Sequence, residues 1–318
     1  MISRHFIAIL TLTMVSPVVF APAGMAQSSN NKVPDPLVVN MKTKDGVELV
    51  GTYYKSTAGK DATPVVMLAD WKDSRAVYDQ LAKRMQAGGN DDKAGFKWDS
   101  FAVLTVDLRG HGDSTKQRLG ANAREIDAAK LDRNDLGAMV QFDMNAVRRF
   151  LVEKNDAGEL NLNRLSIVGA SLGASVAVNW SMLDWSFPPL AVGKQGQDVK
   201  GLVLISPEWS YKGLQMNKAL RHPGVREHIA VLVMYGGDER KNLADAKRIE
   251  KQLERYHPEP DDLEPGVPNS LALLGPNTKL QGTKLLTQGG AGAELAIIKF
   301  LNAHVAKENF DWLKRGRD

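Results

Sequence analysis

A mostly parallel α/β sheet with helices on both faces and an antiparallel hairpin at its start is the fold class this sequence predicts. Three observations predict it. Two alternating apolar runs joined by a tight turn open the folded part, and short apolar strands then alternate with amphipathic helical stretches. The composition, 43% hydrophobic and 25% charged residues with no internal repeat, is that of a globular chain with a sizeable core.

The N-terminus comes first. Arg4 and His5 lead an apolar run from Phe6 to Phe20, and the small-x-small triplet Gly24-Met25-Ala26 precedes Gln27, the pattern of an export signal cleaved after Ala26. Pro17 and Pro22 interrupt the run short of the roughly 20 apolar residues a span needs, so it reads as a signal peptide rather than a retained anchor. The expected location is secreted or periplasmic, with no membrane span after cleavage. The chain has no cysteine, so disulfides and thiol chemistry are excluded in a compartment that permits them.

Residues 27–35 (QSSNNKVPD) form a flexible lead-in, 36–306 the domain and 307–318 a C-terminal tail. LVVNMKT and VELVGTYYK pair through Asp45-Gly46, a turn that needs positive φ. Buried strands follow at PVVMLA (64–69), FAVLTVD (101–107), LSIVG (165–169), GLVLIS (201–206), IAVLVMYG (229–236) and SLALLG (270–275). Between them, Leu136, Met139, Val140, Val147, Phe150 and Leu151 share one helical face, and Leu243, Ala246, Ile249 and Leu253 share another. HPEPDDLEPGVPN (257–269) is a surface loop. Ligands in such a sheet bind at the carboxyl ends of the strands, so the chemistry belongs to loops that leave strands.

Charge and composition narrow the function. Lys and Arg number 41 against 37 Asp and Glu, and they interleave with acids, as in RKNLADAKRIEKQLER. That is a solvated helix face, and nucleic acid is not an expected partner. No metal or cofactor is expected either, because there is no cysteine, no histidine pair at helical ligand spacing and no acidic set with calcium-loop spacing.

Gly169-Ala170-Ser171-Leu172-Gly173 stands where a strand passes into a helix, the context that makes a G-x-S-x-G sequence a nucleophile elbow. Gly169 and Gly173 avoid collisions in the sharp turn, and the helix aims its first amides at Ser171.

Across most of residues 37–306 the chain resembles the α/β-hydrolase family, its serine-aminopeptidase-like and lipase-like members in particular. DLRGHGDS (107–114) is similar to the loop after the family's fourth strand, and LISPEWSYKG to the end of the sixth. MYGGDER resembles the site of the triad acid, which implies Asp238 in that role, or Glu239 in its place. About 20 residues separate SPE from the next strand, which leaves no large lid and implies an open, shallow site.

The resemblance also implies a histidine base after the last strand. None stands between His257 and His304. The expected position falls at Gln281 if PNTKLQGTKLL is the matching segment, or near Ala293 if TKLLTQGGAGAE is. His257 and His304 lie about 24 and 15 Å along helices leading from the strand tips, and His228 enters its strand from the far end. His222 sits in the connection before it. His111 leaves a strand at the correct edge, about 10 Å from the serine strand, and is the candidate base; its other reading is a hydrogen bond within its own glycine loop.

The family's oxyanion hole takes one amide from the residue after the nucleophile, here Leu172, and one from the loop after the third strand, here Ala69-Asp70. Backbone donors survive a change of side chain, but an Asp70 carboxylate would stand close to where negative charge develops. Capping the next helix, or pairing with Lys72 or Arg75, is its other reading.

Two functions fit these residues. One is a ligand- or partner-binding pseudoenzyme with little or no hydrolytic activity. The other is a weak or unconventional serine hydrolase acting on a carboxylic ester or amide, with Ser171 attacking, Asp238 orienting or acting as base, and His111 or a water assisting. The incomplete triad favours the first, because losing the base costs orders of magnitude in rate while the elbow folds without it. The expected partner is an ester- or amide-like small molecule or a protein, with Trp71, Trp209 and Tyr211 as candidate pocket walls.

Overall fold

A computed structural model of the chain describes residues 32–92, 95–188, 190, 193–257 and 269–316. The signal segment 1–26, lead-in residues 27–31 and most of the 257–269 loop lie outside the described residues.

The opening hairpin pairs β1 (Leu37–Lys42) with β2 (Val47–Tyr54). Gly46 turns it at φ +85°, where a Cβ would strike the Arg118 carbonyl. Six strands then run parallel: β3 (Pro64–Leu68), β4 (Ala102–Val106), β7 (Leu165–Ala170), β8 (Val199–Ile205), β9 (Ala230–Met234) and β10 (Leu271–Leu274). Between β4 and β7 the chain makes a second hairpin, β5 (Lys116–Leu119) and β6 (Asn122–Glu125). KQRL and NARE carry no apolar alternation, so the sequence hides them. The sheet order is β10-β9-β8-β7-β3-β4-β2-β5-β6, with β1 paired to β2. It puts β3 between the serine strand β7 and β4, which leads to His111.

Strand alternation divides the core between two faces. Val66 and Leu68 point to the side covered by α3 (Met144–Asp156), α4 (Leu172–Trp185) and α5 (Arg240–Leu253); Val65 and Met67 point to α1 (Asp79–Ala87) and α6 (Ala291–Leu301). Helix α4 is buried nearly all round and has no polar stripe. Only a short hairpin (Ser210–Tyr211 with Leu214–Gln215) and the helices Asn217–Leu220 and Pro223–His228 separate β8 from β9, so no lid covers the sheet edge there.

The helical stretch before α3 departs from the simple helix its periodicity predicts. Helix α2 (Arg133–Ala138) runs into α3 through a π-helical turn, Met139–Asp143. The turn brings Asp143 into the core, fully buried, where its carboxylate takes the Arg109 side chain at 2.6 Å and the Arg109 amide at 3.0 Å. Arg109 also pairs with Asp45 at 2.7 Å. The loop that carries His111 is thereby fastened to the hairpin on one side and to the helix on the other.

Residues 310–315, which the sequence sets apart as a tail, pack onto the domain. Asn155 and Asn161 donate to the Leu313 and Phe310 carbonyls at 2.9 and 2.7 Å. Arg315, its side chain 1% exposed, lies 2.6 Å from the fully buried Asp198 carboxylate, which also faces Lys194 at 3.3 Å and Arg148 at 3.5 Å. Removing one partner of a buried pair costs roughly 3–5 kcal/mol when nothing else compensates the remaining charge. Two cations remain here, so Arg315→Met is expected to lower unfolding stability by about 2 kcal/mol. The urea midpoint of the variant against the native chain measures it; an unchanged midpoint would show that the tail contributes nothing.

Candidate active site

Ser171 is the first residue past β7 and caps α4 with φ +43° and ψ −99°, a conformation side chains rarely adopt. The surroundings hold it there. A Cβ on Gly169 would run into the Gly173 backbone, and one on Gly173 into the Leu68 carbonyl, so helix, serine strand and β3 meet at atomic contact. The Ser171 amide is tied to the Ile205 carbonyl at 2.9 Å. Its side chain stands at the carboxyl edge of the sheet, 8% exposed, with the Leu172 amide beside it.

Asp70 leaves the neighbouring strand β3 and turns its carboxylate into this corner. The carboxylate accepts the Trp71 amide at 2.6 Å and stands beside Leu172 and the Ser171 hydroxyl. An anion of the chain is thus already present in the corner where a substrate's oxyanion would be received. Burial pushes the Asp70 carboxyl above the ordinary carboxylate range and nearby Asp73 adds to the shift, while the Trp71 amide, Ser171 and the Leu172 amide oppose it. Neither Lys72 nor Arg75 neutralises it: Arg75 pairs with Asp107 and, at 2.8 Å, with Asp113.

Beyond β10, the loop folds back over the ends of β9 and β8 and brings Gln281-Gly282 to the serine. Gly282 has φ +58°, and a Cβ on it would come 2.6 Å from Asp70 Oδ2 and 3.3 Å from Ser171 Oγ. It is Gly282 that faces Ser171; Gln281 precedes it with its side chain turned to Ser206 and Gly236, and Ala293 lies within α6, against the second core face. Both ends of the Gln281 amide are engaged: Oε1 accepts the Ser206 hydroxyl at 2.7 Å and the Gly236 amide at 3.2 Å, and Nε2 donates to the Gly236 carbonyl at 2.9 Å. An amide has no basic lone pair for a serine proton, and this one is clamped away from it.

The other candidates fall elsewhere. The Asp238 side chain is exposed and forms no hydrogen bond or ion pair among the described residues; its amide joins the Thr278 carbonyl at 3.2 Å. Glu239 precedes α5 without a side-chain cap. His228, His257 and His304 line a pocket with Ala230 and Ser270, at the entering ends of β9 and β10, and His222 faces Ser186 past the end of α4 at 3.4 Å. His111 is 5% exposed, with Nδ1 at 2.9 Å from the Arg109 carbonyl, the bond within its own loop that was its alternative reading. Burial lowers its pKa, against hydrogen bonds and the nearby carboxylates of Asp107 and Asp70.

Sequence reasoning passes over Ser206, Thr283 and Asp73. Ser206 adopts φ +47° at the end of β8 and joins Gln281 to the Gly282 amide, which it accepts at 2.8 Å. Thr283 donates to Asp73. "SPE" carried a weak signal, a polar residue directly after a buried strand, but "QGT" lies seven residues past its strand and no spacing pattern linked the two.

An open parallel sheet, a glycine-bounded serine elbow on its central strand and an amide pair beside the hydroxyl define the architecture of the α/β hydrolases. The alpha/beta hydrolase family model matches residues 60–285, and the chain belongs to that family. Among curated proteins it is 26% identical to the uncharacterized proteins Rv2307c and MT2364 of Mycobacterium tuberculosis, over 69% of this chain and 68% of each of theirs. Among solved structures it is similar to the Pyrococcus furiosus esterase Pf2001 (TM-score 0.56, 14% identity, 85% of this chain and 91% of that one). The dienelactone hydrolase from Anabaena variabilis is another (TM-score 0.51, 15% identity, 86% and 97%). At these identities the two structures show a shared fold.

A raised pKa means that the folded chain binds the Asp70 proton more tightly than the unfolded chain, whose aspartates titrate near 3.9. This contribution to stability is full below that value and is lost as pH rises through the folded pKa. Urea unfolding across that window should show native stability falling with pH relative to Asp70→Asn, which lacks the titrating group. Parallel pH profiles for the two proteins would contradict the burial assigned to Asp70.

Proposed function

We propose that the mature chain is an exported, non-hydrolysing member of the family that uses the Ser171 edge of the sheet to bind a small-molecule ligand or a partner. The observation that carries this reading is the Asp70 carboxylate standing beside Leu172 in the Ser171 corner. Two negative charges about 4 Å apart repel by roughly 4 kcal/mol at an effective dielectric of about 20. One oxyanion-hole donor contributes about 2.7–4 kcal/mol, so the carboxylate offsets what the hole would supply. Gln281 removes the base as well. Export is supported by the charged, apolar and small-x-small segments of residues 4–26.

One proximity favours the second reading, an unconventional ester or amide hydrolase: a carboxylate stands beside the Ser171 hydroxyl. That carboxylate also fills the anion site, however, so the group able to take the proton opposes the charge that the attack creates.

Labelling with a serine-directed fluorophosphonate separates the readings. The native chain is expected to react no faster than Ser171→Ala. Rapid stoichiometric labelling that disappears in the variant would establish the hydrolase instead.

A further inference from the structure

A small cavity lies between the ends of β3 and β4, lined by Asp70, Asp73, Asp107, His111 and the elbow residue Leu172. Its volume is about 10 Å³, space for one water-sized group. His111 Nδ1 faces a carbonyl oxygen, so the proton is on Nδ1 and Nε2 presents a lone pair. That Nε2 is buried without a hydrogen-bond partner on a side chain only 5% exposed. The carboxylates around it are acceptors too. Asp107 is occupied by Arg75 and by the Asp113 amide at 3.0 Å. Asp70 and Asp73 form no ion pair among the described residues. Asp70 accepts the Trp71 amide, which leaves acceptor sites on its carboxylate.

The polar side chains of this lining offer only acceptors, so the group that fills it must be a donor. A carbonyl, carboxylate or phosphate oxygen brings none, whereas an ammonium brings three with a compensating charge. Beside the cavity, one cation already covers an aromatic face. Trp71 stands edge-on to His111 with ring centroids 5.3 Å apart, and the Lys212 ammonium rests 3.3 Å above the Trp71 ring centre. Tyr211 lies beside it at 6.4 Å. The same aspartate that opposes an oxyanion favours a positive charge.

We propose that the cavity binds the ammonium head of a primary amine, which donates to His111 Nε2 and to the Asp70 carboxylate while its substituent leaves past Trp71. The proposal rests on the ligand-binding reading and names the chemistry of that ligand.

Methylammonium chloride added to the full isotope-labelled chain tests it, with the His111 ring nitrogens followed by proton–nitrogen correlation spectra at constant ionic strength. A saturable shift of Nε2 is expected, weakened at least about tenfold in Asp70→Asn, as loss of a charge-assisted bond implies. Tetramethylammonium, which has no N–H, is expected to leave Nε2 unmoved. No saturable shift with methylammonium, or the same response to sodium chloride, would overturn the proposal and leave water as the occupant. An equal response to tetramethylammonium would overturn it too, by placing the cation on the Trp71 face. Fluorophosphonate labelling of the same sample reports on Ser171 alone, so loss of amine binding and the presence of hydrolysis are read apart.

Discussion

The contact of Gly173 with the Leu68 carbonyl determines most of what this molecule presents at its functional edge. Because no side chain fits there, α4 starts hard against β3, and Ser171 is forced to positive φ with its hydroxyl raised and the Leu172 amide turned outward. The loop after β3 passes beside that amide. Whatever residue stands two places beyond Leu68 shares a corner with the serine, and here it is an aspartate.

That single side chain inverts the electrostatics of the corner. A carboxylate stands where negative charge would gather during acyl transfer, and it accepts the Trp71 amide while burial opposes its charge. On the other side the Gln281 amide, bound to Ser206 and Gly236, stiffens the loop that a histidine would otherwise animate. The site is well ordered by hydrogen bonds, yet no proton acceptor in it is free of competing charge. The elbow has the family's geometry, and the carboxylates beside it are why the neighbouring cavity offers acceptors to a donor.

Much of this was legible in the sequence. Alternation of buried strands with helical faces predicts the sheet, because period and length are local properties, and the glycines around Ser171 predict the elbow because only close approach requires them. Aspartate after Ala69 already raised the question of a carboxylate near the oxyanion position. Its partners did not follow, since they depend on which strands are neighbours: Lys72 and Arg75 were close in sequence, but Ser171 and Leu172 were close in space. Gln281 and Ala293 were equal on paper for the same reason, because the path of the loop after β10 is not written locally. Asp143 illustrates a further limit, as a π-helical turn shifts the face of a helix by one residue and leaves the apolar period nearly intact.

An anionic tetrahedral mimic reads directly whether the Asp70 charge stands where an oxyanion would develop. Titration of phenylboronic acid into the native chain and into Asp70→Gly compares the site with and without the carboxylate. No measurable binding to the native chain and Ser171-dependent binding to the variant are expected. Equal affinity of the two proteins for the boronate would contradict the assignment of that charge.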